Sequence, residues 1–271
     1  MNVLKWLGNK GPLAPEILKQ LGPVEGWKRY VEPFAGSLAI LMHARAAGYA
    51  GEVVIAERHP MIRAFLGGMA EDPESIAETL TTLPRMHVTA RVYEEIRAEF
   101  NRKRPLRTGY EFCAMFIWLN RAGYNGLFRT NRLGKFNVGW NEKRVLSLPT
   151  TNEVEAFGRA ILYADVKADW KEARTAGKLP GARVYCDPPY VGTHGYGGKW
   201  TREDRQALAK WAGQVVKAGG RIVISEIDTE EAQEDFAGLE FVPTRTVYES
   251  VSVNPAKRGV RREALWVGGA L

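Results

Sequence analysis

The stretch from Arg29 to Glu57 narrows the fold more than any other. Arg29-Tyr30-Val31-Glu32-Pro33 carries a strand signal, Phe34-Ala35-Gly36-Ser37 turns the chain, and Leu38 to about Ala47 has a helical pattern. After the glycines at Gly48 and Gly51, a second strand signal covers Glu52-Val53-Val54-Ile55-Ala56-Glu57. Strand, turn, helix and strand in this order open a parallel α/β sheet. A chain of 271 residues, 45% of them hydrophobic, can cover such a sheet on both faces and still carry an insertion.

The insertion is visible as a change of period. From Pro60 to about Ala122 the pattern turns helical, with segments over Asp72 to Leu83, Thr89 to Asn101 and Thr108 to Ala122. Asp72-Pro73-Glu74 supplies an N-cap with proline at the first helical position. Leu127 to Trp140, with Gly134 at its centre, reads as a basic β-hairpin or an irregular loop. Strand signals then resume at Ile161-Leu162-Tyr163-Ala164, Val184-Tyr185-Cys186, Arg221 to Ser225, Thr244 to Val251 and Ala264 to Val267, with a helix from Glu203 to Lys217 capped by Thr201. The simplest architecture is one Rossmann-like sheet interrupted by a mainly helical insertion.

Charge singles out the same insertion. The whole chain carries +7, from 38 basic and 31 acidic residues. Between Arg85 and Arg144 there are thirteen Lys/Arg against five Asp/Glu, so the remainder, 25 against 26, is neutral within one charge. A local excess of this kind points to a polyanion such as nucleic acid more than to a solvated helical surface. Cys113 and Cys186 are too few for a disulfide framework, and His43, His59, His87 and His194 lack metal-ligand spacing, so no metal is expected. No stretch nears the ~20 apolar residues of a membrane span, and the N-terminus lacks a leader pattern. The expectation is a soluble cytoplasmic protein, acting as a monomer.

Asp187-Pro188-Pro189-Tyr190 follows the strand signal Arg183-Val184-Tyr185-Cys186. Two prolines stiffen the strand exit and hold Asp187 at the sheet rim, where active sites of α/β folds collect. A carboxylate, a carbonyl and an aromatic ring together suit chemistry on the amino group of a nucleobase. An exocyclic amine is a poor nucleophile because its lone pair is delocalised; Asp187 and the Pro188 carbonyl can accept its two N–H bonds and stabilise charge developing on the nitrogen. Tyr190 can stack on a base that has left the duplex. Glu32-Pro33-Phe34-Ala35-Gly36-Ser37 places a tight turn at the end of the first strand, suited to a nucleotide-like cofactor, although one glycine there is also compatible with a plain turn. Glu57 is either a ribose acceptor or a solvated strand-end carboxylate.

Six blocks in order resemble the Dam-like (D12 class) DNA adenine-N6 methyltransferases: Lys5 to Lys10, Val31 to Gly36, Val54 to Glu57, Asn120 to Arg129, Gly134 to Val138, and Tyr185 to Tyr190. The resemblance implies an S-adenosylmethionine-dependent methyltransferase sheet, residues 1–58 and 145–271, with a target-recognition domain at 59–144. It implies direct methyl transfer to the N6 amino group of a flipped adenine in double-stranded DNA, with Asp187, Pro188, Pro189 and Tyr190 as the catalytic motif. Trp6, Lys10, Glu32, Phe34, Ala35, Gly36, Ser37, Glu57, Asp165 and Asp187 would hold S-adenosylmethionine. Lys5, Tyr124, Asn125, Leu127, Arg129, Asn131, Arg132 and Lys135 would meet DNA, with Arg129 suited to a guanine edge. Arg102, Lys103, Arg104, Lys143 and Arg144 are further phosphate candidates.

The chain also departs from the family. Leu38 stands where many members have a second glycine in the cofactor turn, and Glu57 replaces the commoner aspartate. Gly139 and Thr130 replace a proline and an aromatic residue of GATC-methylating members. These leave the recognition sequence open, as does the setting: host, phage or restriction-modification. The Asp187 motif would serve cytosine N4 or RNA adenine as well, and a DNA-binding member that has lost its cofactor, with Leu38 in its favour, is the reading from another class. The glycines of the Val191 to Trp200 loop suggest mobility over the site.

Overall fold

The computed structural model describes residues 3–6, 8–102, 109–191, 194–195, 198–249 and 260–271. Lys103, Arg104, Val251 and the glycines Gly192 and Gly197 lie outside the described residues. Strands β1 (Arg29–Glu32), β2 (Glu52–Ala56), β3 (Asp165–Lys167) and β4 (Ala182–Cys186) precede a two-residue pair, β5 (His194–Gly195) and β6 (Gly198–Lys199). Strands β7 (Arg221–Ile227), β8 (Glu240–Glu249) and β9 (Val260–Gly268) complete the main sheet, in the order β3-β2-β1-β4-β7-β9-β8. The first five in that order are parallel, and β9 and β8 join antiparallel. The chain moves outward from β1 to β3 and then returns to β4 on the other side, so the crevice between β1 and β4 is the switch point where such sheets bind ligands.

The sheet is buried on both faces, as parallel strands require. Alternation divides the strands: Val31, Val54, Val184, Ile222 and Ile224 pack with Trp170, Leu208 and Trp211 of α8 (Trp170–Gly177) and α9 (Arg202–Lys217). Tyr30, Val53, Ile55, Tyr185 and Val223 face the other way, toward α1 (Ala14–Leu21) and α2 (Ala39–Ala46). The second cluster runs without a break into the insertion, through α3 (Pro60–Glu71), α4 (Pro73–Thr82), α5 (Ala90–Arg102), α6 (Tyr110–Ala122) and α7 (Thr151–Ile161). Helix α6 is buried nearly all round, from Phe112 to Asn120, as expected of a central helix.

Local signals explain most boundaries. Asp72 caps α4 by accepting from the Ser75 N–H at 3.0 Å, and Pro73 follows it. Thr201 and Asp204 form a reciprocal capping box on α9. One expected strand is wrong: Ile161 ends α7, whose buried face is Val154, Phe157 and Ile161, while Leu162 and Tyr163 are exposed in a turn. Helical spacing outweighs the β-propensity of Ile161-Leu162-Tyr163-Ala164, and the strand starts at Asp165. The Thr150–Glu153 capping box of α7 is the signal that the strand reading passes over. No regular hairpin forms over 127–140 among the described residues: the chain is an irregular loop with isolated bridges Thr130–Phe136 and Gly123–Trp140.

Candidate active site

Stiff connections bring the predicted residues to the carboxyl ends of β1, β2 and β4. At β1, the Ala35 N–H donates to the Ala56 carbonyl at 3.0 Å and the Leu38 N–H to the Ala35 carbonyl at 2.8 Å, which closes the turn tightly. Gly36 has φ of 48°, and a Cβ there would stand 3.1 Å from Trp6 Nε1, so Trp6 lies against the turn. Ser37 is half-buried and Ala35 buried, while Phe34 packs edge-on against Trp200, centroids 5.5 Å apart. Leu38 takes a left-handed conformation, φ 54° and ψ 31°, with its side chain fully buried in the core. A position needing positive φ explains why glycine is common there, and Leu38 does not fill the turn.

Two carboxylates end the neighbouring strands. Glu32 is buried and accepts from the Tyr30 hydroxyl at 2.8 Å; burial lifts its pKa to about 8, and Asp187 adds to the rise. Glu57 accepts from the His59 N–H at 2.8 Å, and burial lifts it to about 7 against the backbone N–H groups of His59, Gly36 and Arg58. Glu32 is closed off by burial, while Glu57 is half-buried at its strand end.

At β4, Asp187 joins a buried polar cluster. Lys10, 4% exposed, places its Nζ 2.9 Å from Asp187 Oδ1 and 3.1 Å from Glu263 Oε1, and donates to the Tyr190 hydroxyl at 3.4 Å. The Tyr190 hydroxyl donates to Glu263 Oε1 at 3.1 Å. Burial raises the Asp187 carboxyl, with the Lys10 ammonium opposing; its side chain keeps 24% exposure, so solvent moderates the rise. Pro188 is buried and Pro189 half-buried.

Asp165 does not join this group. It begins β3 beside Val54, exposed and paired with Lys167 at 2.8 Å, while the carboxyl end of the strand is at Lys167. Among the described residues there is no cluster of three or more His, Cys, Asp or Glu arranged to hold a metal, and no helix is long and apolar enough to cross a membrane.

The basic loop is held by its alternate residues. Phe128, Phe136 and Val138 are buried, the Tyr93 hydroxyl donates to the Val138 carbonyl at 2.7 Å, and Asn101 bonds both backbone groups of Phe136 at 2.8 and 3.0 Å. Arg129, Asn131, Arg132 and Lys135 are left exposed. Arg129 Nε donates to Asn137 Oδ1 at 2.9 Å, which orients its guanidinium. Asn131 Oδ1 is committed to the turn, accepting from Leu133 and Lys135 N–H groups at 2.9 and 3.0 Å. Tyr124 is exposed, Asn125 is exposed with φ of 52°, and Leu127 is half-buried. Lys5 lies within 2.3 Å of where a Gly126 Cβ would stand, so only glycine lets the N-terminal segment pass. Arg102 is paired with Glu99 at 2.7 Å, while Lys143 and Arg144 are exposed. Sequence reasoning passed over Asn120 and Glu263, both buried polar residues whose partners are remote in the chain.

A sequence model of the D12 class N6 adenine-specific DNA methyltransferases matches residues 6–249. The chain is 32% identical over 231 residues to the retron Ec67 DNA adenine methylase of Escherichia coli, covering 84% of this chain and 77% of that protein. It is 29% identical over 270 residues to the DNA adenine methylase of Escherichia coli strain K12, covering 94% and 90%. The DNA adenine methylase of Vibrio cholerae is 28% identical over 247 residues, covering 88% and 85%.

Proposed function

The chain belongs to the D12 class of N6 adenine-specific DNA methyltransferases, and we propose that it moves the methyl group of S-adenosylmethionine directly onto N6 of an adenine flipped out of double-stranded DNA. DNA adenine-N6 methylation is the activity of the class and of this chain. The observation that carries the finer reading is the meeting, at one switch point, of the Asp187 to Tyr190 motif with the Phe34 to Ser37 turn.

The residues present fit the cofactor. Gly36 lets the Trp6 indole lie directly on the turn, where a Cβ would stand 3.1 Å from its Nε1, Glu57 suits ribose hydroxyls, and the Lys10–Asp187 pair offers one charge of each sign to a zwitterionic amino-acid tail. When bound, the sulfonium supplies an electrophilic methyl group. Asp187 Oδ2 and the Pro188 carbonyl accept the two N–H bonds of the target amine, drawing its lone pair toward the methyl carbon. Positive charge grows on N6 as the bond forms, and the Asp187 carboxylate, partly buried, stabilises it and takes the proton released. The Tyr190 ring, fixed by its hydroxyl on Glu263, is placed to stack on the base.

Residues 59–144 form the DNA-reading part in this proposal and 1–58 with 145–271 the catalytic part, in a cytoplasmic protein acting on DNA. Arg129 and Leu127 approach base edges, Tyr124 and Asn125 occupy the helix beside the flipped base, and Arg132, Lys135, Lys143 and Arg144 meet phosphates. Incubation with tritiated S-adenosylmethionine and duplex DNA, followed by nucleoside analysis, tests the reading: N6-methyladenine is expected. N4-methylcytosine as sole product, or no transfer together with no calorimetric binding of S-adenosylhomocysteine, overturns it.

A further inference from the structure

Glu263 has no role in the account above beyond holding the Tyr190 hydroxyl. It lies on β9 opposite Ile227 of β7, on the sheet face of Leu265 and Tyr185, and is 1% exposed. A carboxylate this buried is kept only when its charge is met. Its Oε1 receives both the Lys10 ammonium and the Tyr190 hydroxyl at 3.1 Å, and its Oε2 has no hydrogen-bond partner among the described residues. Lys10 therefore stands between two carboxylates, within ion-pair distance of both.

We infer that Glu263 is a positioning residue for methyl transfer, holding Lys10 and Tyr190 from behind so that Lys10 engages only one oxygen of Asp187 and the other stays open to the target amine. The inference rests on the proposed role of Asp187 as acceptor. An ammonium facing a single carboxylate in a water-poor site is drawn fully onto it, and a carboxylate so neutralised is a weaker acceptor for a second donor. A second carboxylate on the far side shares the ammonium. Lys10, Asp187 and Glu263 together then carry one net negative charge when both acids are ionised, which complements the cationic methyl donor.

The groups around this pair come from several elements. Lys10 and the Gly8 carbonyl face it from the N-terminal segment, Glu32 from β1, and Tyr185, Asp187 and Tyr190 from β4 and its exit. Glu226 faces it from β7. Of these only Lys10 is cationic, so its division between the two carboxylates sets how firmly Asp187 keeps its charge.

The test uses the full chain and Glu263→Gln, which keeps the shape and removes the charge. The expected result is a fall of tenfold or more in kcat with KM for DNA unchanged, and an acid limb of the kcat–pH profile moved to lower pH, because an undivided Lys10 favours ionised Asp187. Glu263→Asp should return the limb toward its original place. Lys10→Met with Glu263→Gln should be no slower than Lys10→Met alone, and this pair, which removes both buried charges, carries the comparison if the single variant fails to fold. Unchanged kcat in Glu263→Gln, or a loss with an unmoved acid limb and additive double variant, overturns the inference. Asp187→Asn, run alongside, separates the cases: full transfer there overturns the parent role of Asp187 instead.

Discussion

The side-chain amide of Asn120 closes on the backbone of Lys5 from both sides, accepting its N–H at 2.6 Å and donating to its carbonyl at 2.8 Å, and also donates to the Gly126 carbonyl at 3.1 Å. One buried residue of α6 thus ties the N-terminal segment, which carries Trp6 and Lys10, to the turn that precedes the basic loop. Asn120→Ala strands these backbone groups, at a cost of about 1–3 kcal/mol by the usual penalty for an unsatisfied buried polar group. Urea unfolding should show that loss, and KM for DNA and for S-adenosylmethionine should rise together; a change in one alone would break the proposed link.

Asp187→Ala should lower kcat by about a hundredfold or more, the scale of removing a preorganised electrostatic group. Asp187 sits at the rim with 24% of its side chain exposed, so folding should be retained, as circular dichroism and thermal unfolding can check.

Arg129→Ala removes an exposed guanidinium that Asn137 orients. If it reads a base edge, discrimination at one base pair should fall by about 1–3 kcal/mol. Methylation profiles over a randomised site measure this; equal weakening on all sequences would make Arg129 a phosphate contact.

Leu38→Gly sets two effects against each other. It relieves a left-handed residue, worth roughly 1–2 kcal/mol, but empties a buried leucine site, at roughly 3–5 kcal/mol. The variant should therefore be less stable by about 1–4 kcal/mol, with S-adenosylhomocysteine affinity kept, because the side chain points into the core and not into the turn. Lost affinity would place Leu38 in the cofactor site.

Glu32 gives a pH dependence of fixed sign. Burial raises its folded pKa from 4.5 to about 8, so the native state holds a proton that the unfolded chain releases. Its contribution to stability is full below about pH 4.5 and is lost as pH rises toward 8. Glu32→Gln should flatten the fall in unfolding free energy between those limits, measured on the free protein by urea titration; an unchanged slope would mean that Glu32 is ionised throughout.

The amino-acid sequence by itself determined the parallel sheet, because short continuous apolar runs and the turns after them are local patterns. The residues Asp187 to Tyr190 and Phe34 to Ser37 were legible as a site for the same reason: each is a contiguous run at a strand end. The caps at Asp72 and Thr201 were legible too. The helical place of Ile161 was encoded locally as well, by the Val154, Phe157 and Ile161 spacing and the Thr150–Glu153 cap. Two things were decided only by tertiary structure. Leu38 accepted a positive φ because the core holds its side chain. Asn120 and Glu263 acquired their parts because folding brought Lys5 and Lys10 against them, and no spacing along the chain encodes a contact between residues more than a hundred positions apart.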